Sequence, residues 1–263
     1  MRSGDSHKGD NGAVTIIGGS RHQHGAPIFS ALAAEASGVD LLYLWVPCHH
    51  ADVTKYASNN FQVMTFGSMR SDEITSSDRE RIVEHLATID AAVIGPGLSR
   101  SATSLKSIIN LLAEAPCPVI ADATALQAET LPSLAHRHAV ATPHLGELER
   151  MGYRRTELPE LSQKYACTIL LKSIADTVIA EDGSIVSIVG GNAGLTVGGT
   201  GDTLAGLTAG LIAQGKSHEE ACRIASTLIK RAGDLLFLDV GFSYTTMDVI
   251  RMIPRLLRGQ LQS

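Results

Sequence analysis

Two closely spaced glycine clusters hold the residues best suited to chemistry: Gly190-Gly191-Asn192-Ala193-Gly194, then Gly198-Gly199-Thr200-Gly201-Asp202. After Asp202 the apolar residues Leu204, Leu207, Leu211 and Ile212 recur at helical spacing, so the glycines run straight into a helix N-terminus. Unpaired amides and the helix dipole favour an anion there, and glycine lets a phosphate approach the backbone closely. Asp202 then reads in two compatible ways: as a cap or first-turn acid that stabilises the helix, or as a carboxylate beside an anion hole that accepts a proton from an attacking hydroxyl. No Lys-Ser/Thr pair follows the glycines and no strand immediately precedes them, which excludes the Walker A loop and the dinucleotide fingerprint.

Other candidates stand where apolar runs stop. Gly18-Gly19-Ser20, Gly95-Pro96-Gly97, Asp122 and Thr142-Pro143-His144 each end a short run, as does Lys172. Each alone reads as a turn. Together they mark one edge of a sheet, where open α/β folds bind ligands. Lys172 is either a snorkelling surface residue or a phosphate contact. Asp122 and Glu147 could pair with a metal or a ligand hydroxyl, and His144 is equally ambiguous. His22, His24, His49 and His50 lack metal spacing.

The elements that must position these residues follow from the apolar pattern. Strands are expected at 13–17, 41–46, 61–66, 91–94, 119–121 and 139–141, with helices between them, including one after Gly25-Ala26-Pro27 and one capped by Ser77. Strands apolar on both faces that alternate with helices indicate an α/β fold with a mostly parallel sheet covered on both sides. Closely spaced β segments between Thr168 and Val189 predict an antiparallel edge. Helices are expected over 202–214, 217–237 and 246–257. Without a linker or repeat, residues 1–263 read as one domain.

Composition sets outer limits. The 263 residues are 44% hydrophobic, 19% charged and only 4% aromatic, which suits a core of small aliphatic side chains. A net charge of −5 gives no general attraction for nucleic acid or anionic membrane, so a phosphorylated ligand needs a local device. The four cysteines lie far apart and read as reduced and mostly buried. The polar N-terminal residues and the lack of a run of roughly 20 apolar residues point to a soluble, cytoplasmic protein.

The run Gly199-Thr200-Gly201-Asp202-Thr203-Leu204-Ala205-Gly206 resembles the signature of the ribokinase-like superfamily. The order of further motifs is similar to that of the NAD(P)H-hydrate dehydratase family: His7-Lys8-Gly9, Gly18-Gly19-Ser20, Gly25-Ala26-Pro27, Gly95-Pro96-Gly97-Leu98, Asp122-Ala123-Thr124-Ala125-Leu126, Thr142 to Glu147, Leu171-Lys172 and Gly191 to Gly194. The resemblance implies a ribokinase-like fold and a lyase that repairs hydrated NADH or NADPH. ADP, or ATP, would phosphorylate the ring hydroxyl; phosphate then leaves and the double bond re-forms. It implies Asp202 as the base. Lys172, Ser173, Ile174, Ala175, Asp176, Gly199, Thr200 and Gly201 would hold the nucleotide. Ala26, Gly97, His144 and Asn192 would join Asp202 around the substrate. Mg²⁺ would sit on the phosphates, with no protein metal site, and the enzyme would be a homo-oligomer, up to a tetramer. The companion epimerase domain of some members is not expected within this chain. Three positions depart from the family's pattern: Thr124 replaces an acid, Ser173 a glycine and His24 an aromatic residue. A small-molecule kinase acting on a vitamin precursor, which would share Asp202 and the glycine loop, is the competing expectation. A non-catalytic nucleotide-binding module is a further one.

Overall fold

Short runs of branched and small aliphatic residues build the sheet. A computed structural model describes residues 4–136 and 138–260. Its strands are β1 (Ala13–Ile17), β2 (Leu41–Pro47), β3 (Phe61–Phe66), β4 (Ala91–Ile94), β5 (Val119–Ala121), β6 (Ala139–Ala141), β7 (Cys167–Leu171), β8 (Asp176–Ile179) and β9 (Ile185–Ile188). They form one sheet in the order β3-β2-β1-β4-β5-β6-β7-β8-β9. Strands β1 to β7 pair in parallel, and β8 and β9 add an antiparallel edge as the sequence predicts. The chain reverses direction across the sheet between β1 and β4. Such a switch point opens a crevice at the carboxyl ends of the strands.

Alternate residues of each strand face opposite helical layers, so two cores form. Val14, Ile16, Val93 and Ile120 pack under α1 (Gly25–Ala36), α8 (Thr200–Ala213), α9 (His218–Val240) and α10 (Thr246–Gln260). Ala13, Ile17, Ile94 and Ala121 pack under α3 (Ser76–Leu86), α4 (Ala102–Glu114), α5 (Thr130–Ser133) and α7 (Leu158–Tyr165). The remaining helices are α2 (Ala51–Ala57) and α6 (Leu145–Arg150). Helices α1 and α8 cross closely because Gly206 has no side chain: a Cβ there would stand 1.9 Å from the Ser30 carbonyl oxygen. The Ser30 hydroxyl donates to the Asp202 carbonyl oxygen (2.8 Å), which locks the start of α8 to α1.

One local expectation is corrected. Helix α3 is capped by Thr75, not Ser77: the Thr75 side chain accepts from the Asp78 amide while Asp78 Oδ2 accepts from the Thr75 amide. That reciprocal box satisfies two amides, which a cap at Ser77 would leave open. Helices α2, α5, α6 and α7 are short segments whose apolar period was too brief to read. Among the described residues the cysteines are free, three of them buried, and no helix is long and apolar enough to cross a membrane.

Candidate active site

The N-cap of α8 is Gly199, at φ +98°, a conformation that only glycine adopts readily. Asp202 therefore lies in the first turn and is not the cap, as one reading of the sequence had it. As a first-turn acid it interacts favourably with the helix dipole. Thr200 and Gly201 stand between cap and acid; the Thr200 amide donates to the Val197 carbonyl oxygen at 3.4 Å, and that of Gly201 belongs to the open end of the helix.

Burial pushes the Asp202 carboxyl up to about 7, with Asp122 and Glu147 adding repulsion and Lys172 opposing. A carboxyl with that property accepts a proton near neutrality, which a freely solvated aspartate does poorly. The Lys172 ammonium is not a snorkelling surface group. It is mostly buried and donates to Asp122 Oδ1 at 2.7 Å, with Glu147 Oε2 at 3.6 Å. Burial would lower its pKa, but these carboxylates more than offset that, so its charge is secure. A Cβ on Gly201 would stand 3.4 Å from Lys172 Nζ, which places the ammonium beside the glycine turn.

Lys172 reaches this point because its amide donates to the Pro143 carbonyl oxygen, just beyond the end of β6. Asp122, at the end of β5, is oriented by the Thr142 hydroxyl, which donates to it at 2.7 Å. Glu147 and His144 form a capping box at α6: the Glu147 amide donates to His144 Nδ1, and the His144 amide donates to Glu147 Oε2. With Nδ1 accepting, the neutral ring carries its proton on Nε2.

Two clefts flank this charged centre. The first, of about 360 Å³, is lined by Gln23, Ala26, Phe29, Gly97, Gly199 and Asp202, with Arg100, Ala123 and Thr124 at one end. The second, of about 540 Å³, is lined by His144, Leu145, Gly146, Arg155, Lys172, Ser173, Ile174 and Ala175. Ala26, Gly97 and Asp202 thus come together as the sequence proposed, and so do Lys172 to Ala175. His144 lines the second cleft, beside Lys172.

Two further candidates, Asp176 and Asn192, are held by protein partners. The Asp176 carboxylate turns inward, accepting from the Ser173 amide and the Ser226 hydroxyl, with Lys230 Nζ at 3.5 Å. The Asn192 side chain accepts from the Gly194 amide and the Tyr244 hydroxyl, and its amide nitrogen faces Asp234. Both residues shape loops.

The departures are equally local. Thr124 donates its hydroxyl to the Leu98 carbonyl oxygen. Ser173 donates to the Ala175 carbonyl oxygen. The His24 ring packs edge-on against His50 at 5.5 Å.

Sequence reasoning missed Gln23, Phe29, Arg100 and Arg155, which line the clefts without belonging to any motif. It also missed Lys230. This buried lysine donates to the Ile174 carbonyl oxygen (2.9 Å), with the Ser173 and Gly190 carbonyls at longer range, and so braces the loop after Lys172. A lysine in the middle of α9 gives no such signal by spacing.

A nine-stranded sheet with its crevice at the switch point, a glycine turn capping α8 and an acid in that helix's first turn define a ribokinase-like, nucleotide-dependent enzyme. A ribokinase-like superfamily protein from Enterococcus faecalis V583 superposes with a TM-score of 0.85 at 27% identity, covering 98% of this chain and 91% of the other. The ADP/ATP-dependent NAD(P)H-hydrate dehydratase from Bacillus subtilis shares the fold, with a TM-score of 0.81 at 23% identity over 98% and 93% of the two chains. The NAD(P)H-hydrate dehydratase family profile matches residues 14–255, and the chain belongs to that family. An ADP-dependent (S)-NAD(P)H-hydrate dehydratase from Cenarchaeum symbiosum (strain A) is 33% identical over 98% of this chain and 92% of its own length.

Proposed function

We propose that this chain repairs hydrated NADH and NADPH with ADP as the phosphoryl donor, releasing NAD(P)H, AMP and phosphate. The observation that carries the reading is Asp202, a carboxyl with a pKa near 7, between two clefts at the open end of α8. The hydrated ring occupies the cleft of Ala26 and Gly97, and its hydroxyl faces Asp202. The nucleotide occupies the cleft of Lys172 to Ala175, with the half-turn at Gly199 to Gly201 receiving its terminal phosphate. Exposed Ile174 offers the adenine an apolar face.

Asp202 takes the hydroxyl proton as oxygen attacks the terminal phosphorus of ADP, and AMP leaves. Lys172 and the amides of α8 hold the phosphoryl charge throughout. The carbon–oxygen bond to phosphate then breaks, the adjacent ring carbon loses a proton, and the double bond re-forms. Phosphorylation matters because phosphate leaves carbon far more readily than hydroxide.

Among the described residues no three His, Cys, Asp or Glu side chains converge on a single metal position. The oxygen donors Asp122 and Glu147 suit Mg²⁺ carried in on phosphates, where it would neutralise their charge.

We place residues 1–263 in the cytoplasm as a single catalytic unit, in keeping with its free thiols. Assembly into a homo-oligomer is supported by the apolar exposure of Phe237, Leu238, Val240 and Phe242 at the end of α9.

The test pairs free-phosphate release with recovery of reduced-nicotinamide absorbance, using ADP and hydrated NADH. Equal amounts of both are expected. A stable phosphorylated product with no recovery would move the protein to the kinase reading.

A further inference from the structure

A third cleft, of about 300 Å³, opens beside the Asp202 cleft and is lined by Leu105, Leu126, Gln127, Ala128, Glu129 and Arg150. Arg100, Ala123 and Thr124 line both. The two cavities therefore form two lobes that meet at a neck, and the neck carries a guanidinium. We propose that Arg100 anchors the diphosphate bridge of the hydrated dinucleotide, whose adenosine half lies in this third cleft.

Shape and charge both support the assignment, which rests on the reading of the Asp202 cleft given above. A dinucleotide is itself two lobes joined by a doubly negative waist. The Asp202 lobe is too small for the whole molecule and of a size for its nicotinamide half. Among the described residues Arg100 makes no ion pair or hydrogen bond, so its five donors are uncommitted. Its neighbour at the neck, Thr124, is neutral and has spent its hydroxyl on the Leu98 carbonyl oxygen.

The far lobe is different. Arg150 lies 3.9 Å from Glu147, and Glu129 lines the same wall, so its charges are balanced. Leu105 and Leu126 supply apolar surface suited to an uncharged adenosine. The donor nucleotide has its own cleft on the other side of Lys172, which leaves this one for the substrate.

The experiment measures NADH and ADP binding to wild type, Arg100→Gln and Ala128→Trp by calorimetry, after wild-type turnover of hydrated NADH has been established. Loss of a guanidinium–phosphate contact should weaken NADH binding by about tenfold or more in Arg100→Gln, with ADP affinity kept within about twofold. Ala128 is exposed, so tryptophan there can fill the lobe without disturbing the core. Ala128→Trp should weaken NADH but not reduced nicotinamide mononucleotide, which lacks the adenosine half.

Unchanged NADH affinity in Arg100→Gln would overturn the inference, as would a loss of ADP affinity instead. Equal weakening of both reduced nucleotides in Ala128→Trp would remove adenosine from the third cleft. If wild type fails to regenerate NADH from its hydrate, the functional reading itself fails. If it succeeds while Arg100→Gln binds NADH normally, only the anchor is wrong.

Discussion

At Asp202 a single side chain sets activity against stability. Its folded pKa, near 7, lies well above its ordinary 3.8. Between those values the folded protein holds a proton that the unfolded chain gives up, so this group's contribution to stability falls as pH rises through that window and levels off above about 7. Asp202→Asn should therefore abolish turnover, by about 10²-fold or more. The same substitution should raise the melting temperature at pH 8 by roughly 3 °C or more, with the gap closing near pH 4. Calorimetric melts at the two pH values, beside steady-state rates, check both; a mutant that is inactive and no more stable at pH 8 would refute the buried-charge account. In wild type, kcat/KM should fall about tenfold per unit below pH 7, as the base becomes protonated. A profile flat down to pH 5 would exclude Asp202 as the base.

The elements matter through how closely they approach each other and through what their ends expose. Gly206 brings α1 against α8, and Gly199 turns the chain so that the first turn of α8 faces the clefts. Gly201 is a different case: its backbone is not at positive φ, and a Cβ there meets nothing nearer than Lys172 Nζ at 3.4 Å. Gly201→Val is thus expected to fold while placing its branched side chain where a phosphate would approach. ADP affinity should drop by about tenfold or more, since close phosphate approach to helix amides is lost. Calorimetric titration with ADP, with the fold verified by circular dichroism, reads this directly. Full ADP affinity would mean that the phosphates bind elsewhere.

Across the whole molecule, two cores on either side of one sheet enclose almost all of the thiol chemistry. Burial pushes Cys117 and Cys167 up to about 12 and raises Cys222 as well. These three should resist a thiol reagent at pH 8 until the protein unfolds, because the thiolate is the reactive form. Cys48 is only half-buried, at the carboxyl end of β2. A thiol titration of the native protein should count one accessible group, rising to four in denaturant. Early modification of Cys117, Cys167 or Cys222, located by peptide mapping, would mean that a layer of helices opens readily.

Strand positions, the parallel sheet with its antiparallel edge and the glycine turn before Asp202 were all legible in the chain. They depend on short-range pattern: continuous apolar runs for strands buried on both faces, and glycine where a helix must start on an open turn. The caps were partly legible, and Thr75 was missed because Ser76 and Ser77 offer the same chemistry one and two residues on. What the chain could not disclose is which charges meet. Asp122, Glu147 and Lys172 are far apart in sequence and converge only because β5, β6 and β7 are neighbours in the sheet. The raised pKa of Asp202, the inward turn of Asp176 and the bracing by Lys230 likewise depend on burial and on contacts between distant segments. Residue types and their local spacing determined the elements and nominated the acid. The packing of distant segments set its proton affinity and shaped the clefts beside it.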